Sequence, residues 1–433
     1  MVEIVCILIS SLFGFLIGLV SSLIPGMHIN TVSILLLSLQ SLLLSFAQPL
    51  GIDPLFFPVA LSSMIVSAYI ASTFSNIIPA TFLGAPEEDV ALTMLPMHAM
   101  LLRGRGYEAI VLSAIGSFGS VVISLSLLLP LKFLLTDPIN LYRDLKNIMP
   151  WILIAVVAIM VLTEKTKKRM VTSAAILLLS GMYGILVLKM RLNPLIDFPS
   201  TPLFPALAGL FGFSTLISSL LSKTETRPQH LMEPIFTETE KRSSIISIIT
   251  GTLSGIFVSV IPGITTAIGT IIALVFRGRT DERQTIITLS SVNTSAAIAT
   301  IANLFIIQKA RSGVAIVVSD LIEPDMWKGI LPPCNLVYLL IPIVISASLS
   351  LPATCYLGRL AAEKIEKISY QKIIKVSMML ILILVLIFSG TLGLVILLAG
   401  ASIGLLPIFF GARRSSCMGV LLIPLLLHFL GIY

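Results

Sequence analysis

The chain has 433 residues, 56% of them hydrophobic and only 11% charged, with a formal net charge of +7 and a mean hydropathy of +1.05. An ordinary soluble domain carries roughly 25% charged residues, so this composition excludes a freely soluble protein and leaves an integral membrane one. The basic excess falls in short loops between apolar runs, where Lys and Arg report orientation in a membrane rather than a nucleic-acid surface; no nucleic-acid partner is expected.

Apolar runs of about 16 to 25 residues, long enough to span as helices, recur from end to end. They lack the alternating pattern of a porin, so the spans are read as helices. The first run, from residue 1 to about 47, has no positive n-region and is expected to be retained rather than cleaved. It is interrupted at its middle by SSLIPGMHIN, with Pro25-Gly26 at the centre. The loop at 48–54, which has no Lys or Arg, belongs outside, and the run 55–80 makes one crossing. It leads into STFSNIIPATFLGAPEED at 72–89, which again breaks at Pro and Gly. Arg103 and Arg105 return the chain to the inside. Spans at 116–135, 150–162, 171–188 and 202–221 then alternate with an outer loop at 137–147 and the inner basic run EKTKKR at 164–169.

The long polar stretch 222–244, with Lys223, Arg227, Lys241 and Arg242, reads as cytoplasmic. It divides the chain into a membrane repeat with extra helices over 1–221, a linker over 222–243 and a second membrane repeat over 244–433. The second half opens with an apolar stretch, 244–276, between two basic loops, so it enters and leaves on one face; VSVIPGITTA places Pro262-Gly263 at its middle. At an offset of 237, Gly14, Gly18, Ser22, Ile24, Pro25 and Gly26 meet identical residues at Gly251, Gly255, Ser259, Ile261, Pro262 and Gly263. A weaker match sets RGRGYEAIVLS at 103–113 against KARSGVAIVVS at 309–319, which puts Lys309 and Arg311 outside. The two hairpins open to opposite faces. The fold class is therefore an all-α polytopic membrane protein of two inverted-topology repeats, each with a Pro-Gly broken helical hairpin, about ten full crossings plus two hairpins. Opposed repeats of this kind are the plan of secondary transporters, with the substrate site at the repeat interface.

A broken helix in hydrocarbon must be buried in protein or line a wet cavity, because unsatisfied backbone groups cost several kcal/mol each. Around the first break stand Ser21, Ser22, His28, Asn30 and Thr31; around the second stand Ser259, Thr265 and Thr266. Two readings fit: a proline kink padded by hydroxyls, or a site where helix termini present N–H groups to an anion and freed carbonyls to a cation. Ser75-Asn76 and Asn293-Thr294 are taken as counterparts in the next helix of each half, either binding substrate or co-ion or simply hydrogen-bonding between helices. The candidate substrate-binding set is Ser22, Pro25, Gly26, His28, Asn30, Ser75, Asn76, Ser259, Pro262, Gly263, Thr265, Thr266, Asn293 and Thr294. Glu87, Glu88 and Asp89 read as a solvated helix start or a cation relay. Asp320, Glu323 and Asp325 read as an interfacial loop. Cys6, Cys334, Cys355 and Cys417 lie singly, without metal or redox spacing. No H-E-x-x-H or Walker pattern is present, so neither catalysis nor ATP hydrolysis is expected.

The G-x-x-x-G and S-x-I-P-G patterns of both halves, FLGAPEEDVALTMLPMHAMLLRGRGYEAI at 82–110 and SIGLLPIFFGARRSSCMGVLLIPLLL at 402–427 resemble the permease of the tripartite tricarboxylate transporter family, the TctA-like large subunit. The sequence is closer to archaeal stand-alone members. Where the bacterial pattern has Asn and Pro-Gly it reads Leu83-Gly84-Ala85-Pro86, and where that pattern has Asn-Asn it reads Asn293-Thr294. The resemblance implies a multi-pass permease of the cell membrane that takes up a small organic anion such as a di- or tricarboxylate. It implies no bound cofactor, a gradient of Na⁺ or H⁺ as the drive, and a small membrane subunit and an extracytoplasmic binding protein as partners beside the membrane lipids. A polyprenyl-phosphate translocase and a non-transporting scaffold subunit are the alternatives.

Overall fold

A proline has no N–H with which to continue a helix, and in the computed structural model of the chain the helices that approach Pro25 and Pro262 stop just short of them. The structure describes residues 2–24, 27, 29–51, 53–83, 94–162, 164, 166–195, 202–221, 228–261, 266–277, 281–364 and 370–432. In the first half the helices are α1 (Val2–Ser22), α2 (Ile29–Ser38), α3 (Gln40–Ala47), α4 (Phe57–Ser75), α5 (Ile77–Leu83), α6 (Met94–Leu102), α7 (Gly106–Ser126), α8 (Leu128–Leu135), α9 (Leu141–Leu162), α10 (Lys167–Val187), α11 (Leu203–Leu207) and α12 (Ser214–Leu221). The second half holds α13 (Glu238–Val260), α14 (Thr266–Arg277), α15 (Glu282–Ile306), α16 (Gly313–Ile322), α17 (Cys334–Lys364), α18 (Tyr370–Phe410) and α19 (Gly419–Phe429). Among the described residues there is no strand.

Eight helices are long and apolar enough to cross a membrane by length and composition, with four shorter apolar helices beside them. The protein is a multi-pass membrane protein. The arms of the two hairpins are unequal: α1 and α13, with 21 and 23 residues, are among the eight, whereas α2 and α14 have 10 and 12. The helix α18 bends at Gly390, whose φ of +66° is left-handed; a Cβ there would overlap the Asn193 carbonyl.

The inversion can be followed through the packing. The start of α4 meets the start of α17, with the Phe56 and Tyr338 rings 5.7 Å apart. The start of α15 meets the start of α7 through Arg283 and Glu108, 2.6 Å apart. Running from the first of these ends to the second, α17 lays Gly358 against Ile110 of α7. Hence α4 and α15 run in opposite directions, and the pairs α4 with α17 and α15 with α7 are counterparts.

Each hairpin helix lies along its neighbour in the same way. Gly14 and Gly18 of α1 face the backbone at Met64 and Ala68 of α4, while Gly251 and Gly255 of α13 face Thr288 and Val292 of α15. Small residues let helix backbones approach where lipid provides no hydrophobic drive between them. From Met64 to Thr288 the offset is 224 rather than 237, because the segment between the two helices is thirteen residues longer in the first half, where α3 and a 3₁₀ turn intervene. In this register Ser75-Asn76 corresponds to Ala299-Thr300, not to Asn293-Thr294. The match of 103–113 with 309–319 likewise joins unlike elements: the first stretch starts α7, which packs on α15 and α17, while the second includes most of α16, which packs on α2 and α4.

A second apolar core forms around α9, α10, α11, α18 and α19, centred on Leu153, Leu177, Leu210, Ile396 and Leu422, and a further one joins α12 to α18 through Leu216, Ile381 and Val385. Part of this bundle is a six-residue π-helical stretch at Ala208–Phe213, where Arg414 donates to the Phe211 carbonyl and the Ser214 hydroxyl, both at 2.8 Å. The helical start at Glu238 falls inside the expected linker 222–243. Thr237 and Glu240 close it as a capping box. The preceding linker segment docks on the turn between α6 and α7, His230 N–H donating to the Gly104 carbonyl at 2.7 Å and Gly106 N–H to Gln229 Oε1 at 3.0 Å.

Candidate functional site

Both breaks are built by one local device. The lost donor of Pro25 would have served the Ser21 carbonyl, and that of Pro262 the Val258 carbonyl. Ile24 N–H bonds Ser21 O at 3.1 Å instead, and Ile261 N–H bonds Val258 O at 3.3 Å. One position on, the serine hydroxyl turns back to its own helix: Ser22 Oγ to Leu19 O at 2.9 Å, Ser259 Oγ to Ile256 O at 2.6 Å. All four residues keep the offset of 237, so the repeat is conformational as well as written.

Each serine then reaches the second helix of its half. Ser22 Oγ lies 2.5 Å from Ser75 Oγ, and Ser75 is bonded to Ala71 O at 2.8 Å. Asn76, buried, occupies the turn between α4 and α5. On the other side Asn303 Nδ2 donates to Ser259 O at 3.1 Å and to Ser259 Oγ at 3.0 Å. Helical side chains lean toward the N-terminus, so from position 303 the carboxamide reaches back to the level of Ala299-Thr300, the counterparts of Ser75-Asn76. Between the two breaks α4 crosses α15, where Thr294 Oγ1 and Thr73 Oγ1 are 3.2 Å apart. The breaks stand on either side of this crossing and approach it from opposite directions.

Of the candidates, Ser22 meets Ser75 and Thr294 meets Thr73 at the crossing; Asn76 and Asn293 are buried beside Ser75 and Thr294, while Ser259 is bound to Asn303, nine residues beyond Thr294 on α15. Asn30 is directed elsewhere: its Oδ1 accepts the Val314 N–H at 3.1 Å, helping Ser312 to cap α16. Thr266 opens α14, half-buried, with its carbonyl accepting from Thr270 at 3.0 Å. Pro25, Gly26, His28, Pro262, Gly263 and Thr265 lie outside the described residues, as do Glu87, Glu88 and Asp89. Asn303 escaped the candidate set although it closes the same stretch, SSVNTSAAIATIAN. Its only signal was a second asparagine ten residues after the first. Among the described residues the candidates are hydroxyls and carboxamides, which offer neutral dipoles.

Comparison with known proteins agrees with this architecture. An uncharacterised protein of the archaeon Methanocaldococcus jannaschii is 28% identical over 426 residues, covering 97% of this chain and 98% of its own length. No solved structure matches the chain. Residues 8–419 match the model of the tripartite tricarboxylate transporter TctA family. With that match running through both breaks and nearly every helix, the chain belongs to the TctA family.

Proposed function

We propose that the protein is a secondary active permease, moving a small organic anion such as a di- or tricarboxylate across the cytoplasmic membrane by alternating access, driven by an ion gradient. The observation that carries this is the pair of broken helices, ended by the same bonds and approaching the α4–α15 crossing from opposite sides. In inverted-repeat transporters such half-helix ends frame the substrate near the midplane, and rocking one repeat against the other exposes it alternately. Family membership supports the same reading. It also favours a small membrane subunit and an extracytoplasmic binding protein as partners in a tripartite system, and a role other than catalysis. No feature of the described residues favours the lipid-phosphate translocase or the scaffold.

Uptake of labelled di- and tricarboxylates into vesicles reconstituted with the purified protein tests the proposal. Pro25→Ala and Pro262→Ala restore the missing N–H and let the helix run on, and each is expected to lower uptake at least tenfold at normal insertion. Full uptake by both variants removes the breaks from the mechanism.

A further inference from the structure

The second break holds an oxygen with nothing to bind. Asn303 is almost completely buried, at 1% exposure, and its Oδ1 has no hydrogen-bond donor. The orientation of the carboxamide is determined by its surroundings. The Ser259 carbonyl can only accept, so the NH₂ must face it, and this turns Oδ1 away. A buried acceptor left without a donor is destabilising, and a bound cation removes that penalty.

The electrostatics around this oxygen select the sign of the ligand. Ser259 lies in the last turn of α13 and Asn303 in the last turn of α15, so two helix C-termini meet at their contact. Each terminus carries about half a negative charge and carbonyls without helical partners. Neither helix has a basic residue in its last turn. Lys309 is exposed and Arg311 follows in the loop beyond, and neither donates to Asn303. The donors are neutral oxygens. A carboxamide and carbonyls do not bind a proton near neutral pH, and among the described residues no three His, Cys, Asp or Glu side chains come together to hold a divalent metal. Neutral oxygens at a helix end are the ligand set of an alkali-metal cation.

We infer that Asn303 Oδ1, where the C-termini of α13 and α15 meet, is a ligand of an alkali-metal cation at the second break. This deepens the transport proposal, on which its role as the coupling ion rests.

Thermal unfolding of the full-length purified protein in choline chloride, with choline replaced stepwise by Na⁺ or K⁺ at constant ionic strength, reads the site directly. The wild-type protein is expected to be stabilised by one alkali cation over choline. Asn303→Ala should raise the half-effect concentration at least tenfold, and Asn303→Asp, which keeps an oxygen there and adds charge, should lower it. Should the alanine variant fail to fold, the aspartate variant decides. An absent alkali-cation response in the wild type, or an unchanged half-effect concentration in either folded variant, overturns the site. The readout is binding, so the two proposals fail separately: a wild type that responds to the cation but takes up no carboxylate refutes the transport function and leaves the site standing.

Discussion

Gly255→Val is expected to destabilise the folded protein severely, lowering both its yield and its apparent Tm. A Cβ on Gly255 would overlap Ser295 Oγ and the Val292 carbonyl, and would come within 3.1 Å of the Ala296 nitrogen. Two of these three atoms are backbone, so no rotamer change relieves the collision; α13 and α15 have to move apart along a shared face that is among the most extensive in the protein. Overpacking a filled interior costs about 1–3 kcal/mol and occasionally more. Against a rigid backbone the cost should reach or exceed the top of that range, a large part of a typical stability of roughly 5–15 kcal/mol. Gly18→Val should behave alike, since its Cβ would overlap the Ala68 carbonyl and sit 2.7 Å from the Ala68 Cα. Gly212→Ala is the contrast, because a Cβ there has nothing within 4 Å. The yield of monodisperse detergent-solubilised protein and its apparent Tm measure all three. Wild-type yield and Tm for Gly255→Val would show that the α13–α15 register is not the one described.

Loss of the Glu108 carboxylate should have the next largest effect. It lies in the first turn of α7 with its side chain 4% exposed, bound by Arg105 at 2.6 and 2.7 Å and by Arg283 at 2.6 Å. Arg283 also reaches Glu240 of α13 at 3.1 Å, so this one carboxylate helps to tie α7 to α15, and through Arg283 to α13. Removing one member of a buried pair costs about 3–5 kcal/mol, because the remaining charge is stranded. Arg105 is 38% and Arg283 23% exposed, so solvent screens part of this, and about 2–3 kcal/mol is expected for Glu108→Ala. Arg105→Ala removes the more exposed partner and leaves Arg283 in place; about 1 kcal/mol or less is expected. Apparent Tm values for both variants at two salt concentrations test the ranking. Equal losses would mean that the Arg105 contact, not the shared carboxylate, holds this end together.

Glu108 also shows what the sequence conceals. Arg103 and Arg105 read as orientation signals, and nothing in the sequence singles out Glu108 at all. That Arg283 comes from the other half to the same carboxylate depends on the parallel packing of α7 on α15, which leaves no local pattern. The acidic cluster that did stand out, Glu87 to Asp89, lies outside the described residues.

The membrane class and the paired breaks were legible for a physical reason. Each rests on a property that few residues share: charge excluded from hydrocarbon, an imide nitrogen without hydrogen, a glycine where two backbones meet. Such residues are hard to replace, and they kept an offset of 237 through both halves. Where the breaks point was not legible. The helices α4 and α15 are rich in Ala, Ser, Thr, Ile and Leu, residues that exchange freely inside an apolar bundle, and a thirteen-residue difference in the connecting segment shifted their register to 224. The equivalence of Ser75-Asn76 with Asn293-Thr294 therefore moved by six residues, and the side chain that meets Ser259 proved to be Asn303. Sequence by itself determined that two helices would break inside a membrane protein of opposed repeats. Only the tertiary structure decided what each break touches, because that depends on where the intervening chain lets the next helix come to rest.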